Sequence, residues 1–400
     1  MHNTSKGRVV SRRLATRSCY HQRPRFLSTE VVPEPSTPSA PLASSSTPKV
    51  PRQWTRPIAN GVIKAYDEAL ALIRHDSNVK LREVQRVRKD LEAASEAGQK
   101  AELEGRLQKL EIESQINLPE VRWGMKEGLM DLSKPVYRHL LEKTWRKDGQ
   151  LDKLMERIHQ MHVIPDVIPA IHPTVDLRVV LDRKNWKASD PTWFEAEPGD
   201  FLEPKRTRVQ PRFQATVFHP EPRLYTLMVI DPDVPDLENR GFQTYLHLLQ
   251  PNISLDAVSS HKANIPLENP LVSWLPPHPQ NGTPYHRYVT LLLPQSSSEP
   301  IQIESRVYSE RLGFNVRDVV EKYGLGKHHD EDAGAKMVMV PQTYADRIGT
   351  GLRGGIHMWR AVWDQDVSKI YQKVLQIPEP KYGSPPKPDR YGGRRDSKYY

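Results

Sequence analysis

Residues 224–235 read LYTLMVIDPDVP, and the rest of the predicted fold is organised around this stretch. Its first seven residues are β-branched, aromatic and other apolar types that suit a buried strand. Proline cannot donate to a sheet ladder, so we predict that Pro232 and Pro235 stop regular hydrogen bonding. The acidic pair Asp231 and Asp233 is therefore expected at the end of this strand.

Two further strand-like runs follow, at Tyr245–Leu249 and Tyr288–Leu293. They place His247, His286 and Arg287 within or at the ends of strands that neighbour the first one. Together with the two carboxylates, these side chains form a rim that suits an anion pocket. Two interpretations remain open: imidazoles and nearby N–H groups hold an anion, or the carboxylates cap turns and pair with Arg287.

Further strands are predicted on both sides of this stretch. Alternating apolar residues occur at Val175–Leu181 and Phe213–Phe218, and helical spacing returns at Val316–Tyr323 and Val367–Leu375. The remaining strand-like runs are Met337–Val340 and Met358–Trp363. The pattern predicts a mainly β fold with some α, built as a mostly antiparallel two-sheet sandwich.

The composition limits the class of protein. Of the 400 residues 37% are hydrophobic, which is enough for one sizeable core with appendages. The 58 Lys and Arg residues against 49 Asp and Glu give a formal charge of +9, which favours phosphate-rich partners or acidic surfaces. Cys19 is the only cysteine, which excludes an intrachain disulfide and a cysteine-based metal site, and we expect no metal and no cofactor. No apolar run approaches the length of a membrane span.

The first 29 residues carry basic charges and no acidic ones. The basic residues are Lys6, Arg8, Arg12, Arg13, Arg17, Arg23 and Arg25. This composition predicts a mitochondrial transit peptide over residues 1–29, and a disordered Ser-, Pro- and Thr-rich linker over residues 30–57. The alternative is a disordered basic tail that binds nucleic acid or nothing.

Residues 58–172 are predicted to form a helical extension. Apolar residues recur at helical spacing over residues 62–73 and 103–110, which predicts two helices with a break at Ala93–Gly98. Because their apolar stripes are narrow, such helices need a partner to lie against. A helix from Pro135 through Trp145 and another over Leu151–Met161 are expected after them, separated by Gly149.

Basic residues in this extension and in the tail 378–400 are candidates for binding RNA, because cations mixed with aromatic side chains suit phosphates and stacked bases. The candidates are Arg82, Arg86, Arg88, Lys89, Arg138, Lys143, Arg146, Lys147, Arg390, Arg394 and Arg395. The alternatives are solvated helix faces with ion pairs such as Glu102 to Arg106, core aromatics beside solvated charges, and a plain disordered Tyr-rich tail.

Three motifs are set aside. Gly349, Gly351 and Gly354 match G-x-G-x-x-G, but a strand-like run replaces the helix that should follow, so we predict a flexible loop. The adjacent histidine and acidic residues at 328–332 are interpreted as a solvated loop, because neighbouring residues rarely converge on one metal ion. The sequence has no G-x-S-x-G elbow, so no nucleophile is placed for a hydrolase.

Several separated motifs occur in a distinctive order. They are Asp231-Pro232-Asp233-Val234-Pro235, Tyr245-Leu246-His247, Pro276-Pro277, Gly282-Thr283-Pro284-Tyr285-His286-Arg287-Tyr288, Phe314-Asn315-Val316-Arg317 and a helix over Trp363–Tyr371. In this order they resemble the phosphatidylethanolamine-binding protein family over residues 175–377. The resemblance implies a two-sheet domain over residues 173–377 with a pocket for phosphate or phosphorylated headgroups. The pocket residues it implies are Asp231, Asp233, Pro235, His247, His286, Arg287, Tyr288 and Tyr371.

Two departures from the family pattern affect the mouth of this pocket. Pro284 stands where the family has a glycine, and Pro277–Asn281 lengthen the preceding loop. We expect the mouth to be narrowed or redirected.

Three parts precede this domain: the transit-like start, the basic helical arm, and the block from Asn117-Leu118-Pro119-Glu120-Val121-Arg122-Trp123 through Met155-Glu156-Arg157-Ile158-His159-Gln160. In this order they resemble a family member built into the mitochondrial large ribosomal subunit, in its fungal form. The resemblance implies a structural protein that is not an enzyme, located in the mitochondrial ribosome of the matrix. Its partners would be large-subunit rRNA and ribosomal proteins, with no homo-oligomer. The alternative is a free matrix protein of the family that binds phospholipid headgroups or inhibits a peptidase, and a hydrolase that uses Asp231 and the histidines is least favoured.

Overall fold

The described residues contain eight β strands in two sheets. The structure is a computed structural model, and it describes residues 53–182, 193–304, 310–327 and 351–383. The strands are β1 (Ile171–Pro173), β2 (Asp176–Asp182), β3 (Trp193–Glu195), β4 (Arg212–Thr216), β5 (Arg223–Asp236), β6 (Gly241–Leu255), β7 (His286–Pro294) and β8 (Leu352–Ala361). One sheet has the order β1-β8-β7-β5-β6, and the other has the order β3-β2-β4. The predicted two-sheet fold is confirmed.

The sheets are mostly antiparallel, as predicted. Among the described strands, the exception is the edge pair of β1 and β8, which runs parallel. The three residues of β1 lie where the chain leaves the helical extension, and the amides of Thr174 and Val175 then bond to the carbonyl of Gly354 at 2.8 and 3.3 Å. β1 therefore ties the extension to the edge of the larger sheet.

β5 does not end before Pro232, so the prediction that the acidic pair lies at the end of the strand is wrong. β5 pairs with β7 as far as Ile230 and with β6 alone beyond that point. Its register against β6 shifts between Asp231 and Val234, which marks a β-bulge. Proline has no N–H group to donate to a sheet ladder. In this part of β5 the strand is bulged and is paired on one side, so fewer N–H donors are needed and both prolines are accommodated.

The larger sheet is buried on both faces. Successive residues of a strand point to opposite faces, so Leu227 and Val229 pack towards the smaller sheet, whereas Met228 and Ile230 pack towards helices. Ile158, from the predicted helical extension, is fully buried in the same core as Met228 and Ile230. Burial on both faces explains why residues 224–230 form a continuous apolar run.

The helices are α1 (Lys64–Ala93), α2 (Ala97–Gln115), α3 (Pro119–Glu127), α4 (Pro135–Lys147), α5 (Gln150–Gln160), α6 (Val163–Asp166), α7 (Pro204–Thr207), α8 (Val316–Lys322) and α9 (Gln365–Ile370), which continues as a π-helical turn over Tyr371–Leu375. The break between the first two helices falls at residues 94–96, inside the predicted interval. Gly149, at φ 80°, separates α4 from α5 as predicted. Within the described residues, no helix is both long enough and apolar enough to cross a membrane.

α1 and α2 pack against each other, and Leu70, Val84 and Val87 of α1 are buried. Two ion pairs join the helices, from Arg88 to Glu111 and from Arg106 to Glu83, each at 2.6 Å. The partner that each long helix was expected to need is therefore, in part, the other long helix.

The predicted flexible loop at the glycine-rich segment needs correction. β8 begins at Leu352, so the glycine-rich segment enters a strand and is not simply a flexible loop, and Gly354 lies within it at φ 138°. Beyond the predicted domain boundary, Glu379 accepts hydrogen bonds from Trp363 and Ser368. The transit peptide, the runs at 328–332 and 337–340, Gly349, and Arg390, Arg394 and Arg395 of the tail lie outside the described residues.

Candidate functional site

Asp231 and His286 form a buried pair at the centre of the predicted pocket. The Asp231 carboxylate lies in the bulge of β5, and His286 begins the neighbouring β7. His286 Nδ1 lies 2.7 Å from Asp231 Oδ2, and both side chains are almost inaccessible. Asp231 also accepts the backbone N–H of Asp233 at 2.9 Å. The two side chains therefore meet just beyond the last residues at which β5 and β7 pair.

The hydrogen bonds around His286 indicate a charged imidazole. The Thr283 hydroxyl donates to the Gln280 carbonyl at 2.8 Å, so it accepts from His286 Nε2 at 2.9 Å. With Nδ1 facing a carboxylate, both ring nitrogens act as donors. Burial lowers the pKa of His286, but Asp231 outweighs burial and raises it. Burial raises the pKa of Asp231, and His286 outweighs it and lowers this pKa.

Asp233 and Arg287 form a second pair that reaches into the helical extension. The Arg287 guanidinium donates to both oxygens of Asp233, at 2.7 and 2.9 Å. The same guanidinium donates to the Met161 carbonyl at 2.7 Å and to Asp166 at 2.9 Å. Burial lowers the pKa of Arg287, but Asp233 and Asp166 outweigh burial and raise it. The pair therefore fastens the start of β7 to the segment after α5.

His247 and His278 are neutral. His247 Nδ1 lies 2.7 Å from the Leu275 carbonyl, and His278 Nδ1 lies 2.9 Å from the Pro276 carbonyl, so each Nδ1 is a donor. Burial, and then repulsion from His278, lowers the pKa of His247 to about 3. Burial lowers the pKa of His278 as well. Neither ring supplies a positive charge near neutral pH.

The His278 ring occupies the interior of the predicted pocket. Its centroid lies 4.9 Å from that of Tyr245, 5.2 Å from that of His247 and 5.5 Å from that of Tyr371. The Tyr371 hydroxyl donates to the His278 carbonyl at 3.2 Å. From the sequence, Pro277–Asn281 were expected to lengthen the loop, but no sequence feature indicated that the His278 side chain points inwards.

The start of the C-terminal tail lies against the same loop. Lys381 pairs with Asn281 as a parallel bridge, and the amide of Tyr382 donates to the Asn281 carbonyl at 2.7 Å. Gly282, at φ 90°, has no room for a side chain, because a Cβ there would lie 1.8 Å from the Tyr382 carbonyl oxygen. The tail segment 378–383 is therefore part of the wall around the predicted pocket mouth.

The remaining predicted pocket residues lie in the framework. Tyr288 is fully buried and stacks on Trp359 with centroids 5.8 Å apart, and burial followed by the charge of Asp231 raises its pKa well above the usual value. Burial raises the pKa of Tyr371 as well. Pro235 is half-buried and pairs with Phe242 in the β5–β6 ladder, beyond the bulge.

The predicted RNA-binding residues divide into three groups. Arg82, Arg86, Arg88, Lys89, Lys143 and Lys147 are exposed. Arg146 is half-buried and pairs with Glu142 at 2.9 Å. Arg138 is buried and donates to the carbonyls of Leu132 and Ser133 at 2.8 and 2.7 Å, so it stands apart as a structural residue.

A groove of about 290 Å³ runs along α1 beside these cations. Its lining residues are Val79, Arg82, Glu83, Arg86, Val87, Asp90 and Arg106. Glu83 is held by Arg106, whereas Arg82 and Arg86 form no ion pair among the described residues. Two exposed guanidinium groups therefore face one groove.

Residues 194–335 match the family model described as Phosphatidylethanolamine-binding protein. The chain is 28% identical over 274 residues to Large ribosomal subunit protein mL38 of Schizosaccharomyces pombe, across 68% of this chain and 77% of that one. It is 25% identical over 191 residues to Putative odorant-binding protein A5 of Drosophila melanogaster, across 46% of this chain and 80% of that one. A crystal structure of carboxypeptidase Y inhibitor, complexed with its cognate proteinase, is 19% identical, with a TM-score of 0.35 and coverage of 52% of this chain and 95% of that one.

Proposed function

We propose that this chain, which carries a domain of the phosphatidylethanolamine-binding protein family, is a structural constituent of the mitochondrial large ribosomal subunit. The observation that carries the proposal is the length of its similarity to the Schizosaccharomyces pombe ribosomal protein. That similarity spans 274 residues, whereas the family model matches residues 194–335 alone. The likeness therefore extends well beyond the family domain.

The span also reaches the helical extension. Because 68% of 400 residues is about 272, an unbroken alignment of that extent must begin within about the first 129 residues. It then includes α4 and α5, which lie outside the matched domain. Such an alignment includes helices outside the matched family domain, which supports likeness to the whole ribosomal protein and not to the family domain alone.

The buried charges support a role that is structural and not catalytic. His286 is neutralised by Asp231, and Arg287 is neutralised by Asp233 and Asp166. His278 fills the space between Tyr245 and Tyr371 that a ligand would need. We therefore interpret the pocket residues as a vestigial site that now stabilises the domain.

The exposed cations of the helical extension would bind rRNA. Arg82 and Arg86 face the groove along α1, and Lys143 and Lys147 are exposed on α4. Lysine and arginine side chains of this kind contact phosphates and position a protein on RNA without reading its sequence. The acid-free residues 1–29 would direct the chain to the mitochondrial matrix, where it would join the ribosome.

Sucrose-gradient sedimentation of mitochondrial extract tests the proposal. We expect the tagged chain to sediment with the large subunit and to move with it when magnesium depletion separates the two subunits. A large-subunit protein is the positive control, and a soluble matrix enzyme is the negative one. Recovery in the light fractions alone would contradict the proposal and favour a free protein that binds headgroups or inhibits a peptidase.

A further inference from the structure

The strands β5 and β6 end in a hairpin, residues 234–243, which we call the hairpin tip. Beyond Ile230, β5 pairs with β6 alone among the described strands, and the last pair of this ladder is Asp236 with Gly241. Leu237 follows that pair on one strand, and Phe242 adjoins it on the other. Both apolar residues therefore lie within one residue of the same ladder pair.

The hairpin tip exposes apolar surface. Leu237 is 73% exposed and Phe242 is 70% exposed, which are the two highest values for large apolar side chains among the described residues. Leu312, 46% exposed, lies beside the tip, because it forms a bridge with Tyr245 of β6. Exposed apolar residues that occur singly need no explanation, but three at one end of a sheet indicate a surface that binds a partner.

The loop between the two strands is held in one conformation. The Asp236 carboxylate accepts the backbone amides of Glu238 and Asn239 at 3.1 and 3.2 Å, and it accepts the side-chain amide of Asn239 at 2.7 Å. An Asx turn of this kind fixes the backbone between Leu237 and Phe242. The ordering cost of binding a partner is therefore small.

The charges around the hairpin tip do not suit RNA. The acids are Asp236, Glu238 and Glu310 and the cations are Arg240 and Arg311, so this end carries a net charge of −1 on a chain of +9. Arg311 is half-buried and donates to two backbone carbonyls. RNA and anionic lipid surfaces both attract proteins through an excess of cations, which is missing here. A protein is therefore the partner that this surface fits.

The size of the surface indicates one contact within a larger assembly. Three partly exposed side chains offer roughly 400 Å², half of the ~800 Å² that each partner of a stable interface buries. Two copies of this chain joined through their hairpin tips alone would therefore not form a stable dimer.

We propose that the hairpin tip inserts Leu237 and Phe242 into an apolar pocket of a neighbouring protein. Phe242 supplies the aromatic anchor that is typical of a binding hot spot, and Leu312 borders the contact. The exposed Glu238 and Arg240 would lie at its polar rim. That this neighbour is another protein of the large subunit rests on the proposed function.

Site-specific crosslinking in purified mitochondrial large subunits tests the hairpin tip. The probe is the photoreactive variant Phe242→p-benzoylphenylalanine. We expect ultraviolet light to give an adduct of this chain with one other protein, which protease digests and RNase does not. Adding Leu237→Ser should reduce its yield about tenfold. Val258→p-benzoylphenylalanine, at a 59% exposed position beyond the other end of β6, is the control and should not give that adduct.

A competition assay measures how much the contact contributes. Leu237→Ser with Phe242→Ser should leave the melting temperature of the purified chain within about 2 °C of wild type, because both side chains are exposed. In cells that make this variant and wild type in equal amounts, the ratio of variant to wild type in large subunits should fall about tenfold. Val258→Ser is the matched control and should enter large subunits as wild type does.

An adduct with RNA, an adduct of two copies of this chain, or no adduct together with an unchanged ratio would each overturn the proposal. If wild type sediments apart from the large subunit, the proposed function is contradicted, and irradiation of intact mitochondria then tests the hairpin tip alone. A protein adduct that Leu237→Ser removes would support the contact, and the absence of such an adduct would overturn it.

Discussion

At the scale of single residues, the proposed structural role of the pocket residues depends on the charge states of buried side chains. Removing one partner of a buried ion pair leaves the other charge uncompensated. Asp231→Ala should therefore lower the free energy of unfolding by about 3 to 5 kcal/mol at pH 7, measured by urea denaturation.

A double replacement separates the charge effect from lost packing. Asp231→Leu with His286→Leu removes both charges and should cost less than Asp231→Ala alone. Glu299→Ala, at an exposed loop position, is the control and should change stability by less than about 0.5 kcal/mol. A loss below about 1 kcal/mol for Asp231→Ala would mean that the pair is not ionised in the folded state.

The buried neutral histidines predict that acid destabilises the fold. Burial lowers the pKa of His357 to about 4, and that of His247 is lowered to about 3. Their unfolded pKa is about 6.5, so below that pH the unfolded chain binds more protons and stability falls. His286 acts in the opposite sense, because its raised pKa adds stability below pH 6.5 that is lost as the pH rises through its folded value. Burial lowers the pKa of His278 as well, so His247, His278 and His357 destabilise the fold in acid whereas His286 opposes them.

His357→Gln isolates one of these contributions. His357 donates to the Ala196 carbonyl at 3.0 Å, and a glutamine amide can make the same bond without titrating. Between pH 7 and pH 5 the variant should lose about 2 kcal/mol less stability than wild type. His75→Gln, at an exposed position of α1, is the control and should retain the wild-type pH dependence. If His357→Gln and wild type lost the same stability between pH 7 and pH 5, His357 would not be buried and neutral in the folded protein.

His278 tests the vestigial interpretation of the pocket. His278→Ala removes the ring between Tyr245, His247 and Tyr371 and opens space beside the Asp231–His286 pair. We expect isothermal titration with inorganic phosphate to give no heat of binding for wild type and weak, saturable binding for the variant. Tight phosphate binding by the wild-type chain would show that the pocket still works.

At the scale of elements, the tail segment 378–383 provides the sharpest test. Gly282→Ala would place its Cβ against the Tyr382 carbonyl, so the segment should detach and trypsin should cleave after Lys381 several times faster. Gly313→Ala is a matched control, because Gly313 has a similar φ of 75° but open space around it. Equal cleavage rates in the two variants would mean that backbone strain alone, and not the contact with Tyr382, explains the effect.

The elements that the sequence predicted well are those with strong periodicity. Residues 224–230 and 288–293 form central strands because a strand buried on both faces needs apolar residues at every position. α4 and α5 follow from their apolar spacing and from Gly149 between them. These features are local, and each can be recognised within a short window.

The features that were missed depend on distant contacts. The continuation of β5 past Pro232 requires a bulge and the absence of β7 on that side, and neither is written in the local sequence. A pairing of the acidic residues with Arg287 was one of two interpretations left open from the sequence, but the bonds of Arg287 to Met161 and Asp166 span more than a hundred residues. The inward direction of His278 likewise depends on the rings that surround it.

At the scale of the whole molecule, two parts have different tasks in this account. In the proposed function, the sheets form a body in which the predicted pocket residues are buried and paired, and the exposed cations of the helices would contact RNA. The extension is not a separate body, because Ile158 of α5 completes a core of the sheet and Arg287 binds the chain after α5. RNA contacts on α1 can thus position the whole domain.

Electron cryo-microscopy of the assembled mitochondrial large subunit tests whether the chain is part of that subunit. We expect density for the two-sheet domain and its helices within the purified subunit, with Arg82 and Arg86 against rRNA phosphates. A subunit that is complete and active in translation without any density for this chain would contradict it.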